Sequence, residues 1–279
     1  MRTYLILAVV SALSAVGFTA EHRLVNSRFL DVGNEWLYSL KLYELDGQSM
    51  NLSGTASISI TGTASVSGYD VRIVETTSAW GHKTSYWRLL DDSLNQYGGE
   101  TDDFYESLRS DNPAEVFPVW LDESYDLFHL GQGTFRNELK GSAYTWDRTY
   151  DTYITYLGHS EDLTVPAGTF ACRVFVRKEV FTDSDGEHGY DETVVWVEPH
   201  IGIIKEDVHE WMQHWDGSES SARYFFELTS TNVSPQPFCA VRSMPMDLDG
   251  DCRVGLSDFA AFAEQWLSCA LDPPDACWK

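Results

Sequence analysis

Cysteine is almost missing from most of this chain. Of 279 residues, Cys172 is the only thiol before Cys239, so the long central body cannot close a disulfide within itself. Positive charge is scarce as well: 19 Lys and Arg face 43 Asp and Glu, a net charge of −24. That balance excludes nucleic acid, whose phosphates would be repelled, and anionic lipid surfaces. It fits a secreted soluble protein, and cations are natural partners. After residue 20 no apolar run is long enough to cross a bilayer, which takes ~20 residues as a helix. Helical periodicity is sparse.

Catalytic motifs are absent too. There is no G-x-S-x-G and no phosphate-binding P-loop. The segment His209-Glu-Trp-Met-Gln-His214 comes close to the zinc-protease H-E-x-x-H. Its spacing of five puts the rings about 140° apart on a helix and on opposite faces of a strand. The two cannot share a metal. A glycosidase needs two carboxylates at a set separation, but with this density of acids no pair stands out. Cys172 has Val174 and Val176 on its strand face, so it reads as a buried inert thiol. Asp183, Asp185 and Glu187 imitate half a calcium loop with nothing to complete it, and read as a turn.

What is present starts with a secretory signal over residues 1–20. Arg2 supplies positive charge, Tyr4 to Phe18 form an uncharged apolar run, and small residues follow at Gly17 and Ala20. Cleavage fits after Ala20 or after Gly17. No cysteine lies nearby to carry a lipid anchor.

Residues 21–231 read as roughly ten antiparallel strands. Tyr144, Trp146, Tyr150, Ile154 and Tyr156 share one face of a long strand, with Thr145, Asp147, Thr149 and Asp151 on the other. Such an aromatic face is either core or a platform for sugar rings. Phe170 to Phe181 and Asp191 to Val197 form two further strands around a turn-rich connection. Glu100 to Arg109 is expected to form a short helix. Residues 232–246 make a linker, in which Pro235, Pro237 and Pro245 forbid a continuous helix.

The tail, residues 247–279, carries the most specific motif. Calcium takes six to eight oxygens. In the run Asp247 to Asp258, Asp247, Asp249 and Asp251 stand at loop positions 1, 3 and 5 of an EF-hand, and Arg253 offers its carbonyl at 7. Asp258 closes the loop at position 12. A helix is expected next, from Leu256, Phe259, Phe262, Ala263, Trp266 and Leu267 at three- and four-residue spacing. Loop plus exit helix resembles a bacterial dockerin repeat over residues 245–269. The resemblance implies a Ca2+-ordered docking module with a cohesin-like or cell-surface protein partner. It departs from the family in having one repeat rather than two, and in placing Cys252 where glycine is usual.

Four cysteines in the last 41 residues suggest two disulfides. Cys269 lies roughly 16 Å beyond the end of the loop along the exit helix, which disfavours its pairing with mid-loop Cys252. The choice is Cys239–Cys252 with Cys269–Cys277, which is favoured, or the crossed alternative.

In the body, Phe29-Leu-Asp-Val-Gly-Asn-Glu-Trp-Leu-Tyr38, Leu163-Thr-Val-Pro-Ala-Gly-Thr-Phe170 and Val195-Trp-Val-Glu-Pro-His-Ile-Gly-Ile-Ile204 resemble segments of secreted bacterial β proteins. That group is similar in architecture to the periplasmic lipoprotein carriers. The resemblance implies a mainly β fold, an antiparallel half-barrel with a concave face. The functional expectation is a secreted, non-catalytic β protein that binds an apolar or carbohydrate ligand or acts as a scaffold. The alternative is a secreted polysaccharide hydrolase.

Overall fold

The structure is a computed structural model that describes residues 21–23, 28–79, 81–90, 93–108, 114–118, 120–122, 125–233 and 255–266. The expected signal (1–20), most of the linker, the first eight positions of the calcium loop and all four tail cysteines lie outside the described residues.

The first strands in chain order are β1 (Glu21–Arg23), β2 (Glu35–Leu45), β3 (Gln48–Val66), β4 (Tyr69–Ser78) and β5 (Gly81–Leu89). Next come β6 (Ser93–Thr101), β7 (Phe104–Leu108), β8 (Ala114–Pro118), β9 (Trp120–Asp122) and β10 (Phe128–Leu139). The last are β11 (Thr145–Val165), β12 (Gly168–Asp183), β13 (His188–Glu198), β14 (Gly202–Gln213) and β15 (Glu219–Thr231), followed by one helix, α1 (Leu256–Trp266). No helix among the described residues is long and apolar enough to cross a membrane.

Period-2 burial explains why these segments are strands. On β2, Trp36, Tyr38, Leu40 and Leu42 are buried while Leu37, Lys41 and Tyr43 are exposed. On β13, Thr193, Val195 and Val197 point inward and their neighbours do not. The β11–β12 connection holds Pro166 and Ala167 between paired Val165 and Gly168, residues suited to a tight turn.

Neighbouring strands pair antiparallel from β5 back through β4, β3 and β2, then across β15, β14, β13, β12, β11, β10 and β7 to β6. Strand β6 also pairs with β5, which closes the sheet into a barrel of 12 strands. The expected half-barrel is therefore corrected to a closed one. Closure turns on two glycines. At Gly99 a Cβ would lie 2.4 Å from the Thr84 carbonyl oxygen on β5, and at Gly98 one would lie 2.7 Å from the Glu106 carbonyl oxygen on β7. With no side chain at either position, β6 can hold both neighbours. Alternation along single strands says nothing about whether the two edges of the sheet meet.

The helix expected over Glu100–Arg109 is also corrected. Residues 104–108 are β7, laddered to β10 and β6. Tyr105 faces out and Glu106 faces in, a strand period that a short window can hide under good helix formers.

One end of the lumen is a continuous apolar core around Trp36, Ile60, Phe175, Ile204 and Leu228. The Trp36 indole donates to the Ile201 carbonyl at 2.7 Å, so its one polar atom is satisfied.

Helix α1 forms where the apolar spacing predicts it. Asp258 is only 2% exposed, and its Oδ2 accepts from the Gly255 backbone N–H at 2.6 Å. A third-position carboxylate reaching back to the N-cap amide supports a helix start. Leu256, Phe259 and Phe262 are exposed.

Candidate functional site: the barrel lumen

The inward phase of several strands changes from apolar to charged partway along the barrel. On β12 it runs Phe175, Arg177, Glu179, Phe181, and Glu179 is the register partner of Asp191 on β13. On β14 it runs Ile204, Glu206, Val208, Glu210. Tyr224 on β15 lies across the ladder from Val208.

These side chains bound a cavity of about 340 Å³. Its apolar wall includes Phe29, Ile58, Trp87, Leu94, Phe117 and Phe226. Its polar wall includes Lys83, Arg177, Glu179, Asp191 and Glu206. A second hollow of about 390 Å³, lined by Arg148, Tyr150 and Glu210 among others, shares Glu179 and Asp191 with the first. The lumen is thus a pocket with an apolar end and a charged end, of a size typical for small ligands.

The electrostatics are those of charge held out of water. Burial raises the Glu179 and Glu206 carboxyls above their ordinary range; Arg177 opposes the shift and Asp191 adds to it. Burial raises Glu210 too, against the hydrogen bond donated by the Tyr224 hydroxyl. Burial works against the Arg177 charge, but Asp191, Glu179 and Glu206 outweigh it and hold its proton more firmly. The Tyr38 hydroxyl, raised by burial and by Glu206, donates to the Ile203 carbonyl at 3.0 Å. Further along, Gln96 donates to Glu106 at 2.5 Å and Tyr150 donates to the same carboxylate at 3.5 Å.

The site expected from the sequence lies elsewhere. Of the five calcium-loop residues, Asp258 is described, and its carboxylate is folded back onto the loop's ninth position, Gly255. Asp247, Asp249, Asp251 and Arg253 lie outside the described residues.

The acids of the β12–β13 hairpin do come together, with ligand atoms of Asp183, Asp185 and Glu187 within 4.8 Å of one another. Each already has a partner: Asp183 the Arg148 guanidinium, Asp185 the Tyr144 hydroxyl at 2.5 Å, and Glu187 the His214 ring at 3.3 Å. They serve the turn. His209 packs its ring against Tyr190, whereas His214 contacts Glu187 and Ser220, so the two histidines share no site. Cys172 is buried, and its thiol is pushed up to about 12 by desolvation first and by Glu198 second, which makes it inert.

The aromatic face of β11 divides. Ile154 is core and Tyr150 packs against Phe135 and Phe181 inside the barrel. Tyr144 and Trp146 stack on one another nearer the surface.

Sequence reasoning missed the lumen charges. Their signal is faint but real: Arg177 and Glu179, Asp191, Glu206 and Glu210 all occupy the inward phase of strands whose other inward residues are mostly apolar or aromatic. A charge in that phase must be paired or line a cavity.

No protein-family model matches the chain, and no curated protein matches it. Two solved structures are similar to it. A Bacteroides fragilis protein, described as exported and as having a YmcC-like fold, overlays with a TM-score of 0.43 at 12% identity, over 76% of this chain and 99% of its own. A Parabacteroides distasonis protein described as a lipoprotein overlays with a TM-score of 0.43 at 11% identity, over the same shares.

Proposed function

We propose that this protein is an exported, non-catalytic barrel that holds a small amphipathic ligand in its lumen and carries a calcium-ordered tail for docking. The observation that carries the binding role is the 340 Å³ cavity with rings at one end and charges at the other. The apolar end offers burial worth about 25 cal/mol per Å² to a ligand, and the charged end offers orientation. Export rests on the charge, apolar and small-residue zones of residues 1–20. The test of binding is fluorescence of Trp87 on titration with alkyl-chain compounds, with a Trp87→Phe control. A change lost in the control supports the lumen; a flat titration overturns it.

For the tail, the spacing of the oxygens at Asp247, Asp249, Asp251, Arg253 and Asp258 supports a single Ca2+ site. Calorimetry on the whole protein should give a dissociation constant of order 10⁻⁴ to 10⁻³ M, as in extracellular modules. Asp247→Ala with Asp251→Ala should abolish it; identical traces would refute the site. The dockerin resemblance makes a cohesin-like or cell-surface protein the partner class.

A polysaccharide hydrolase is the second reading, because carboxylates do meet in the lumen. The position of Glu179, Asp191 and Glu206 inside a closed barrel works against it: a polymer chain needs an open groove past its acids. Turnover of a polysaccharide, lost in Glu179→Gln or Glu206→Gln, would reverse this preference.

A further inference from the structure

The character of the lumen's polar end goes beyond a generic amphipathic site. Glu179, Asp191, Glu206 and Glu210 line the two joined hollows. The cations on the same walls are Lys83, Arg177 and Arg148. Arg148 is committed elsewhere, with two hydrogen bonds to Asp183. Carboxyl groups therefore outnumber the cations on these walls, in a setting where unbalanced charge is costly. Glu106, buried on β7, adds to the excess.

With that imbalance, the hollows offer a ligand more acceptors than charged donors.

We infer that the ligand carries a basic nitrogen, an amine held by the carboxylates of Asp191, Glu206 and their neighbours, on an apolar body that fills the Trp87–Phe226 end. This deepens the lumen-binding reading and rests on it. An ammonium would neutralise the excess and supply up to three N–H donors. An anionic head would add to the repulsion, and a neutral head would leave the excess in place.

The experiment is calorimetry on the full protein at neutral pH with octylamine, octanol and octanoate. Octylamine should bind at least about tenfold tighter than octanol, with octanoate weakest. Glu206→Gln and Asp191→Asn should each weaken octylamine about tenfold and leave octanol unchanged. Octanol binding as tightly as octylamine, or tighter binding of octanoate, overturns the amine assignment and leaves lumen binding standing. Binding of none of the three overturns both. The comparison among probes uses the unaltered protein, so it stands even if a variant fails to fold.

Discussion

Arg148 and Asp183 face each other across the β11–β12 ladder and are joined by two parallel hydrogen bonds, Nε to Oδ1 at 2.6 Å and Nη2 to Oδ2 at 2.5 Å. The Asp183 side chain is 0% exposed and that of Arg148 is 21% exposed, so the pair is largely shielded from water. The Arg148 guanidinium also sits 4.2 Å from the Phe181 ring centroid. Removing one partner strands the other's charge. Asp183→Asn should destabilise the barrel by about 3–5 kcal/mol, whereas the double replacement Arg148→Met with Asp183→Leu should cost far less. Urea unfolding of the three proteins checks this, and equal losses for single and double variants would contradict it.

Stability should fall as pH rises above the ordinary carboxyl range, and the lumen acids set the sign. Glu179, Glu206 and Glu210 are raised in the folded barrel from the ordinary value of 4.5. Below that value both folded and unfolded chains are protonated at these sites. Above it the unfolded chain loses its protons while the fold keeps them, so the fold binds more protons and loses stability until its own raised values are passed. Glu206→Gln cannot titrate. Its melting temperature minus that of the parent should therefore increase between pH 5 and pH 7. A difference that is constant or shrinks would count against a raised Glu206.

Closure of the barrel predicts intolerance at Gly99. A methyl group there would lie 2.4 Å from the Thr84 backbone oxygen, and backbone cannot swing aside as a side chain can. Gly99→Ala should cost at least about 1–3 kcal/mol, the range for overpacking. Amide hydrogen exchange should locate the loosening at β5 and β6. Gly47→Ala makes a useful contrast: its Cβ would meet nothing within 4 Å, and its penalty comes from φ alone, at +73°.

Cys172 should resist alkylation in the folded protein. Its thiol is buried and pushed up to about 12, leaving little thiolate at neutral pH. Peptide mapping after iodoacetamide at pH 8 should show Cys172 unmodified without denaturant and modified with it. Ready modification of the native protein would mean that the β12 face is open.

Much of the architecture was legible along the chain. Alternation on β2, β11, β12 and β13 marks strands because side chains of a pleated strand point to opposite faces in turn, a property of the local backbone. The helix at Leu256–Trp266 was legible for the same reason, since its period is local. The proposed calcium loop rests on spacing alone, because its candidate ligands are neighbours in sequence. Barrel closure and the lumen were not. Whether β5 meets β6 depends on accumulated twist and on two glycines whose partners, Thr84 and Glu106, are set by the fold. Arg177, Glu179, Asp191, Glu206 and Glu210 come from three strands, and each alone looks like an ordinary surface charge. Only the ladder pairing Glu179 with Asp191 and the closing of the sheet put them on one interior wall. Local periodicity decides which way a side chain points; only tertiary structure decides whether that direction leads to water or to the inside of a barrel.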